Sequence, residues 1–215
     1  MKVIDLGNWP GRKHYLWFKD YAHPYYAITS RIIITKFRKF LKDRDLPFFI
    51  SFLYLIVKAL NNIKEFRLRI DGDRVILFDC IHPAFTVMTD SGIYDNCHVE
   101  MAEFMEFLKK AKESIEAIKS GRKKGPSSYQ EESRLDQYYL TCLPWIDFTS
   151  VSHPMTDDPK DTIPRIAWGK FIEDEKDTVI SLSIQVNHAL IDGYPLSLAF
   201  LKIQEMLDQP EKFLI

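Results

Sequence analysis

A histidine and an aspartate near the carboxyl end are the residues best placed to do chemistry. His188 follows a stretch from Val179 to Val186 whose apolar and β-branched residues predict a buried strand. Asp192 comes four residues later, before a glycine and a helix predicted from Pro195 to Leu207. A histidine held between a strand and a turn suits general-base catalysis because its ring is fixed from both sides. The alternative is a structural histidine followed by a turn-forming Asp-Gly pair.

The composition is that of a globular enzyme of one domain. A chain of 215 residues is long enough to bury a sizeable core, so we predict a single domain over residues 1–215. Its hydrophobic fraction of 46% and charged fraction of 27% are ordinary for such a domain. The formal net charge of -1 gives no reason to expect a nucleic-acid partner. No apolar run reaches transmembrane length, so we expect no membrane association.

Cysteine and histidine spacings give no indication of a metal site. The three cysteines, Cys80, Cys97 and Cys142, form no C-x-x-C pair and have no zinc-ligand spacing. Free thiols in a reducing compartment explain them most simply, which favours the cytoplasm. The histidines other than His188 are scattered and form no H-E-x-x-H motif. We therefore assign them no role and expect no metal.

The amino-terminal half predicts a mixture of helices and strands. The segment from His14 to Tyr21 is predicted as a short helix, and a strand is predicted from Tyr25 through Ile34. Thr35 is the expected N-cap of an amphipathic helix from Lys36 to Lys42. The apolar run from Phe48 to Asn62 is long enough to be a buried helix but too short for a membrane span.

The rest of the chain adds strands and one long charged helix. Asp71-Gly72-Asp73 is predicted to join two strands as a hairpin, and residues 85–88 form another strand. The segment from Val99 to Lys119 is predicted as an amphipathic helix, and Gly121 to Ser133 as a polar loop. Further strands are expected over residues 138–143, 166–172 and 178–186. This layout predicts an α+β fold, a two-layer sandwich of a mixed β-sheet with helices packed on it.

Several ordered motifs resemble those of the chloramphenicol acetyltransferase family. The H-x-x-x-D-G pattern from His188 to Gly193 resembles the active-site signature of that family. Trp9 to His14 looks like its Trp-x-x-x-x-His turn, and residues 82–87 look like its His-Pro-x-Phe-Thr-Val segment. Leu143-Pro144-Trp145 and Gly169-Lys170 occur in the family's order and spacing. The resemblance therefore covers essentially the whole chain.

The resemblance implies an acetyl-CoA-dependent O-acetyltransferase that confers antibiotic resistance by modifying chloramphenicol. It implies a homotrimer whose active sites lie at subunit interfaces, each combining His188 of one subunit with an acceptor pocket of its neighbour. His188 would take the proton of the acceptor hydroxyl as that oxygen attacks the thioester. Thr141 stands where the family has a serine that stabilises the tetrahedral oxygen, and it keeps the hydroxyl. No metal is required.

Other residues acquire roles through the same resemblance. Trp17, Phe18 and Tyr26 match positions that build an aromatic acceptor pocket, and Tyr94 is expected to contribute across the interface. Trp145 and Lys170 are expected to flank the coenzyme channel. Each aromatic residue could equally belong to the core.

The aspartate of the signature has a structural role in the family. It pairs with an amino-terminal arginine and braces the histidine turn, so Asp192 is expected to have such a partner. The position that matches the arginine is Gly11, which leaves its neighbour Arg12 as the expected partner of Asp192. An unpaired buried carboxylate would be costly, so some donor is expected near it.

Two further departures affect the surroundings of the expected base. Asn187 replaces a histidine that usually precedes it, and Ala167 replaces a threonine that assists the oxyanion through solvent. These changes leave open an acetyltransferase of the same fold acting on another alcohol. A non-catalytic trimeric binding module is the alternative from a different functional class. A dihydrolipoamide acyltransferase core is less expected, because the lipoyl and subunit-binding domains of such proteins do not precede this one.

Overall fold

The computed structural model describes residues 1–126 and 134–215. Its α-helices are α1 (Arg12–Phe18), α2 (Thr35–Asp43), α3 (Phe48–Asn61), α4 (Phe104–Lys119) and α5 (Gly193–Asp208). Its strands are β1 (Lys2–Val3), β2 (Tyr25–Ile33), β3 (Leu68–Asp71), β4 (Arg74–Leu77), β5 (His82–Met88), β6 (Tyr94–His98), β7 (Gln137–Cys142), β8 (Arg165–Asp174) and β9 (Asp177–Asn187). Part of the predicted loop from Gly121 to Ser133, residues 127–133, lies outside the described residues.

A mixed six-stranded sheet organises the molecule, in the order β2-β9-β8-β7-β5-β6. Strand β7 runs parallel to both of its neighbours, β5 and β8, whereas the other pairs are antiparallel. A second sheet of three strands, in the order β1-β4-β3, contains the predicted hairpin, whose turn residue Gly72 has a positive φ of 60°. The predicted α+β fold with a mixed sheet and packed helices is confirmed.

One face of the large sheet is apolar and carries the helices. Side chains alternate between the two faces of a strand, so paired residues form rows across the sheet. One apolar row crosses five strands and contains Phe85, Leu140, Ile166, Ile184 and Ile28. Helix α3 is apolar on all sides and buried, and it packs against α5 and β5. The hydrophobic core therefore lies between this face and the helices.

The opposite face is more polar, and a long loop covers part of it. Its rows include Tyr139, Arg165 and Gln185, and, two residues along, Thr141, Ala167 and Ser183. The loop over residues 143–164 contacts this face at several points, for example where Ser181 donates a hydrogen bond to Asp147. The loop leaves a cavity beside β7 that is described with the site below.

The structure corrects several predicted boundaries. Helix α4 begins at Phe104 rather than Val99, and α1 spans Arg12–Phe18 rather than His14–Tyr21. Strand β6 was missing from the prediction, since its sequence Tyr-Asp-Asn-Cys-His has neither alternation nor a run of apolar residues.

Thr35 does not act as an N-cap. It is the first helical residue of α2, and its hydroxyl bonds to Asp177 and accepts from the backbone N–H of Thr178. The threonine thus ties α2 to the start of β9, a tertiary contact that no local pattern reveals.

Within the described ranges, no helix combines the length and the apolarity needed to cross a membrane.

Candidate active site

His188 lies immediately after β9, at the end of a strand that is buried along most of its length. Its backbone N–H donates to the carbonyl of Pro24 over 2.6 Å, which extends the pairing of β9 with β2 by one residue. The next residues turn into α5, so the histidine is fixed between a central strand and a helix. This is the placement that the sequence predicted.

Aromatic side chains hold the imidazole of His188 in one orientation. The ring of Phe18 stacks on it almost in parallel, with a centroid separation of 4.2 Å and an interplanar angle of 8°. Tyr26 lies 4.5 Å away at 37°, and its hydroxyl donates to the carbonyl of Ile191 over 3.3 Å. Burial, together with the charge of Asp192, raises the pKa of Tyr26 to about 12, so this hydroxyl stays protonated. Phe18 and Tyr26, both predicted pocket residues, are thus brought together at His188.

A second histidine, to which the sequence assigned no role, contacts the same ring. His14 Nε2 lies 3.1 Å from His188 Nδ1 and also bonds to the backbone carbonyl of His188. Helix α1 places His14 and Phe18 one turn apart, so both reach the same imidazole. The signal was present in the sequence, because the Trp9 to His14 spacing was itself one of the motifs that carried the resemblance.

The surroundings keep His188 neutral at physiological pH. Burial lowers the pKa of His188 below its ordinary value, and the neighbouring imidazole of His14 acts in the same direction. A hydrogen bond to its own carbonyl and the charge of Asp192 oppose this shift without cancelling it. A neutral imidazole has a free ring nitrogen that can accept a proton from a substrate.

Asn187 supports the turn that carries His188. Its side-chain amide donates to the carbonyls of Pro159, over 2.9 Å, and Asp161, over 3.1 Å. Its carbonyl oxygen accepts from the backbone N–H of Ala189 over 2.9 Å. The residue that departs from the family pattern therefore anchors the loop over residues 143–164 to the histidine turn.

The expected pairing of Arg12 with Asp192 is not formed in this chain. Among the described residues no ion pair joins the two, and both side chains are exposed. Asp192 instead caps α5, because its carboxylate accepts from the backbone N–H of Tyr194 over 3.0 Å. The expectation assumed a buried carboxylate, whereas this one is accessible to solvent in the single chain. No buried charge therefore requires compensation.

The ring of Trp9 packs directly against Gly11, the position that matches the family arginine. A Cβ atom built on Gly11 would lie 2.5 Å from the ring of Trp9. Any larger residue at position 11 would have to displace this ring, which packs against Tyr15 at a centroid distance of 6.0 Å.

Thr141 borders a cavity of about 500 Å³ on the polar face of the sheet. Its hydroxyl lies 3.0 Å from the hydroxyl of Thr86 on the adjacent strand β5. If Thr86 donates to Thr141, the hydroxyl hydrogen of Thr141 is free to point into the cavity. The cavity is lined by Ala84, Phe85, Thr86, Tyr94, Asn96, Pro126, Tyr139, Leu140, Thr141, His153, Pro154, Arg165 and Ile166.

The histidine and the threonine do not meet within one chain. Thr141 on β7 pairs with Ala167 on β8, which pairs with Ser183 on β9. Ser183 therefore lies directly across from Thr141, two strands away. His188 lies five residues beyond Ser183. Strand spacing and rise per residue place the two backbones roughly 20 Å apart. The structure therefore divides the predicted site into two separate halves.

The predicted pocket residues are divided in the same way. Trp17 lies on α1 next to Phe18, and its side chain is exposed, with the indole N–H donating to the hydroxyl of Tyr21. Tyr94, at the start of β6, is 64% exposed and lines the cavity beside Thr141. Large exposed aromatic side chains are typical of binding surfaces and subunit interfaces.

Trp145 and Lys170 lie on neighbouring segments beyond the same end of β7. The backbone N–H of Lys170 donates to the carbonyl of Ile146 over 2.7 Å, and Trp145 is 68% exposed. Gly169 permits this close approach, since a Cβ at that position would lie 2.7 Å from the carbonyl oxygen of Ile146. The predicted coenzyme residues therefore form one exposed patch, with an indole and an ammonium group available to a ligand.

Two cavity residues carry polar groups that the sequence did not single out. Arg165 is buried at the start of β8 in an ion pair with Asp161, and the imidazole of His153 lines the same cavity. In residues 1–126 and 134–215, no group of three or more histidine, cysteine or acidic side chains is arranged to hold a metal ion.

Comparison with known proteins identifies relatives that match nearly the whole chain. The family model for chloramphenicol acetyltransferase matches residues 1–204. Chloramphenicol acetyltransferase 3 of Escherichia coli is 28% identical over 212 residues, which is 97% of this chain and 98% of the relative. The chloramphenicol acetyltransferase of Bacillus pumilus is 27% identical over 195 residues, covering 90% of this chain and 87% of the relative.

Solved structures give the same result for the fold. A chloramphenicol acetyltransferase structure superposes with a TM-score of 0.87 at 28% identity, covering 96% of this chain and 99% of the other. The dihydrolipoamide acetyltransferase of Azotobacter vinelandii superposes with a TM-score of 0.66 at 15% identity, covering 94% and 87%. The second likeness shows a shared fold only.

Proposed function

Because this chain belongs to the chloramphenicol acetyltransferase family, we propose that it transfers the acetyl group of acetyl-CoA to a hydroxyl of a small acceptor. The chain is an acyltransferase, and we take residues 1–215 as one catalytic domain. Chloramphenicol is the first acceptor to test, with antibiotic resistance as the biological consequence. The observation that carries the proposal is the restrained, neutral imidazole of His188 between Phe18, Tyr26 and His14.

His188 is the proposed general base. A proton on Nδ1 can be donated to the backbone carbonyl of His188, which also accepts from His14 Nε2, and this leaves the Nε2 lone pair of His188 for the acceptor hydroxyl. Stacking by Phe18 prevents the ring from turning away. As the hydroxyl oxygen attacks the thioester carbonyl, its proton moves to Nε2, and the resulting imidazolium can return that proton when the coenzyme thiolate leaves. In this scheme His14 is a positioning residue.

Thr141 is the proposed donor to the tetrahedral oxygen. Its hydroxyl borders the cavity and is oriented by the hydroxyl of Thr86, 3.0 Å away. A donor aimed where negative charge develops stabilises the transition state more than the ground state. The acceptor would occupy the cavity, with Tyr94 contributing an aromatic wall.

The separation of the two halves supports a site shared between subunits. Within one chain the base is roughly 20 Å from the threonine, too far for both to contact one reacting carbonyl. We therefore propose a homotrimer in which His188, Phe18, Tyr26 and Trp17 of one subunit face the Thr141 cavity of the next. In such an assembly Asp192 and Arg12, exposed in the single chain, acquire new neighbours, and Asp192 braces the histidine turn from its capping position.

Coenzyme binding is assigned to the exposed patch beyond β7. Trp145 offers an apolar surface for the pantetheine arm, and Lys170 offers a cation for a phosphate group. Both lie on segments that continue from the strands holding Thr141 and Ala167, so a ligand bound there can extend towards the threonine. We place the enzyme in the cytoplasm, a proposal supported by the free thiols of Cys80, Cys97 and Cys142.

The direct test is release of the coenzyme thiol from acetyl-CoA by the purified protein, with and without chloramphenicol. We expect chloramphenicol-dependent release, reduced by about 10³-fold or more in His188→Ala because the general base is lost. His188→Gln serves as a matched variant that preserves polarity without a titratable ring. Both variants should bind acetyl-CoA as the native protein does, since the coenzyme patch is not altered.

Each outcome of this assay is informative. Release that depends on His188 with another alcohol, but not with chloramphenicol, would retain the mechanism and reject the antibiotic as the acceptor. Binding of acetyl-CoA without release in the presence of any alcohol would reject catalysis and favour a binding module.

A further inference from the structure

A buried ion pair adjoins the cavity that contains Thr141. Arg165 and Asp161 are 9% and 4% exposed, and Arg165 Nη2 lies 2.6 Å from a carboxylate oxygen of Asp161. In the other ion pairs formed by the described residues, at least one side chain is substantially exposed. Burying a charged pair is expensive, and hydrophobic residues of similar volume often serve stability as well. The burial of this ion pair therefore favours a functional role for it at the cavity.

The hydrogen bonds of Arg165 occupy only part of its guanidinium group. Nη1 bonds to Asp161, over 3.4 Å, and donates to the carbonyl of Ile163 over 3.1 Å, while Nη2 donates to Asp161. A guanidinium group has five N–H donors. Among the described residues, nothing accepts from Nε–H or from the second hydrogen of Nη2. These two hydrogens point in parallel from the same edge of the group, the arrangement that binds both oxygens of a carboxylate.

The guanidinium group of Arg165 faces the cavity, but the carboxylate that neutralises it does not. Arg165 lines the cavity, whereas the side chain of Asp161 is wholly buried behind it. No aspartate or glutamate is found among the described residues that line the cavity. The free edge of Arg165 has no acceptor among the described residues, so it can bind the acceptor oxygens of a ligand in the cavity.

His153 adds a second donor in the same cavity. Its Nε2 atom is buried and has no hydrogen-bond partner among the described residues. Burial, followed by the nearby charge of Arg165, lowers the pKa of His153, so the ring is neutral and can donate one hydrogen bond. Two polar side chains from different segments thus have hydrogen-bond donors available to a ligand in the same cavity.

The strand register gives the length of ligand that would reach both ends of the cavity. Arg165 pairs with Tyr139, which lies two residues before Thr141 on the same face of β7. The backbone of Arg165 is therefore about 8 Å from that of Thr141. This distance combines a separation of about 7 Å along the strands with one of about 5 Å between them. A benzene ring with substituents at opposite positions bridges such a distance.

We infer that the cavity accepts, besides chloramphenicol, an alcohol that also carries a carboxylate, separated from the hydroxyl by a spacer the size of one ring. The carboxylate binds to the free edge of Arg165 and accepts from His153, and the hydroxyl lies at Thr141. The inference rests on the proposed function, because Thr141 marks the reacting end.

The test compares 4-(hydroxymethyl)benzoate with 4-(hydroxymethyl)benzamide, which have the same shape but differ in charge. Calorimetric titration without acetyl-CoA should give a Kd at least about 10-fold lower for the carboxylate, the effect of one charge-assisted contact. In the double variant Asp161→Asn and Arg165→Met, the two Kd values should agree within about twofold. Both residues are changed because Arg165→Met alone would leave a buried carboxylate unpaired. Thermal unfolding of the double variant checks that it folds.

The result that overturns the inference is equal binding of the two compounds by the native protein, or a carboxylate preference that survives in the double variant. Acetyl transfer to the same compounds separates this inference from the proposed function. Transfer to both compounds with equal efficiency would uphold the function and reject the carboxylate site. Carboxylate-selective binding without transfer to any alcohol would uphold the site and reject the function.

Discussion

The two halves of the candidate site are built on opposite principles. Around His188, the side chains of Phe18, Tyr26 and His14 contact one ring closely and leave it little freedom. Around Thr141, the strands form a cavity of about 500 Å³ with polar groups on its walls. The first region can move a proton, whereas the second can hold a small molecule. Neither can perform the transfer alone.

This difference suggests which region determines chemistry and which determines specificity. The histidine region matches the family pattern at His188, Asp192 and His14, and Asn187, a replacement beside the base, makes three local hydrogen bonds. The cavity holds Arg165 and His153, which no motif predicted. We therefore expect substitutions in the histidine region to change turnover with every acceptor. Substitutions of Arg165 and His153 in the cavity should alter which acceptor is preferred.

Loss of the Thr141 hydroxyl is expected to have a larger effect on turnover than loss of His14 or a change at Gly169. Thr141→Val keeps the shape and removes the donor, so kcat should fall by about 10²-fold with little change in KM. Steady-state kinetics with a saturating alcohol provide the measurement. Thr86→Val, which only orients Thr141, is the matched control and should have a smaller effect. A fall in kcat/KM that arises entirely from KM would place Thr141 in binding rather than in stabilisation of the tetrahedral oxygen.

Removal of His14 should have an intermediate effect that reports on the base directly. His14→Ala is expected to lower kcat on the order of 10-fold, because the His188 ring loses one of its restraints. Activity requires neutral His188, so it falls as the pH drops through the pKa of that ring. Since His14 lowers this pKa, its removal should move the acid limb of the pH profile to higher pH.

His14→Gln tests whether the effect is electrostatic or steric. This variant keeps a polar group near His188 and removes the titratable ring, so it should recover part of kcat while retaining the shifted acid limb. If the acid limb of the pH profile lies at the same pH in His14→Ala, His14→Gln and the native protein, His14 contributes only packing against His188.

Gly169→Ala should have the smallest effect and should be limited to the coenzyme. A Cβ at this position would lie 2.7 Å from the carbonyl of Ile146, so the segment carrying Trp145 must shift. We expect the KM for acetyl-CoA to rise a few-fold while the KM for the alcohol stays unchanged. An equal rise in both constants would mean that the Trp145 segment belongs to the acceptor cavity as well.

Much of the fold was predictable because local patterns and tertiary structure agree there. The apolar run of α3 and the β-branched residues of β9 led to elements that the structure confirms. Strand β6 was not predicted, because its pairing with β5, rather than its own composition, makes it a strand. The start of α4 was misjudged because residues 99–103 share the apolar character of the helix without adopting its conformation.

The site was less predictable, since its residues come from distant segments. The motif around His188 was visible, but the contact with His14 joins positions 174 residues apart and follows from the β2–β9 pairing that brings α1 to the strand end. The sequence predicted that Tyr94 joins the pocket of Trp17, Phe18 and Tyr26 from a neighbouring subunit, and the sheet order places Tyr94 beyond β5, far from the other three within one chain. In the sequence, Arg165 is indistinguishable from an ordinary strand residue. Only the register of β7 and β8 shows that it lies beside Tyr139 and the cavity.

The central claim is that one catalytic site takes its base from one subunit and its cavity from another. Two variants test it, His188→Ala and Thr141→Phe, the second of which fills the cavity; each alone should be inactive. When they are co-expressed and purified together, random assembly should give both intact halves to about one site in four. Activity regained at about that fraction of the native rate would support the shared site. A mixture as inactive as its two components, with mixed trimers demonstrated by differential tags, would contradict it.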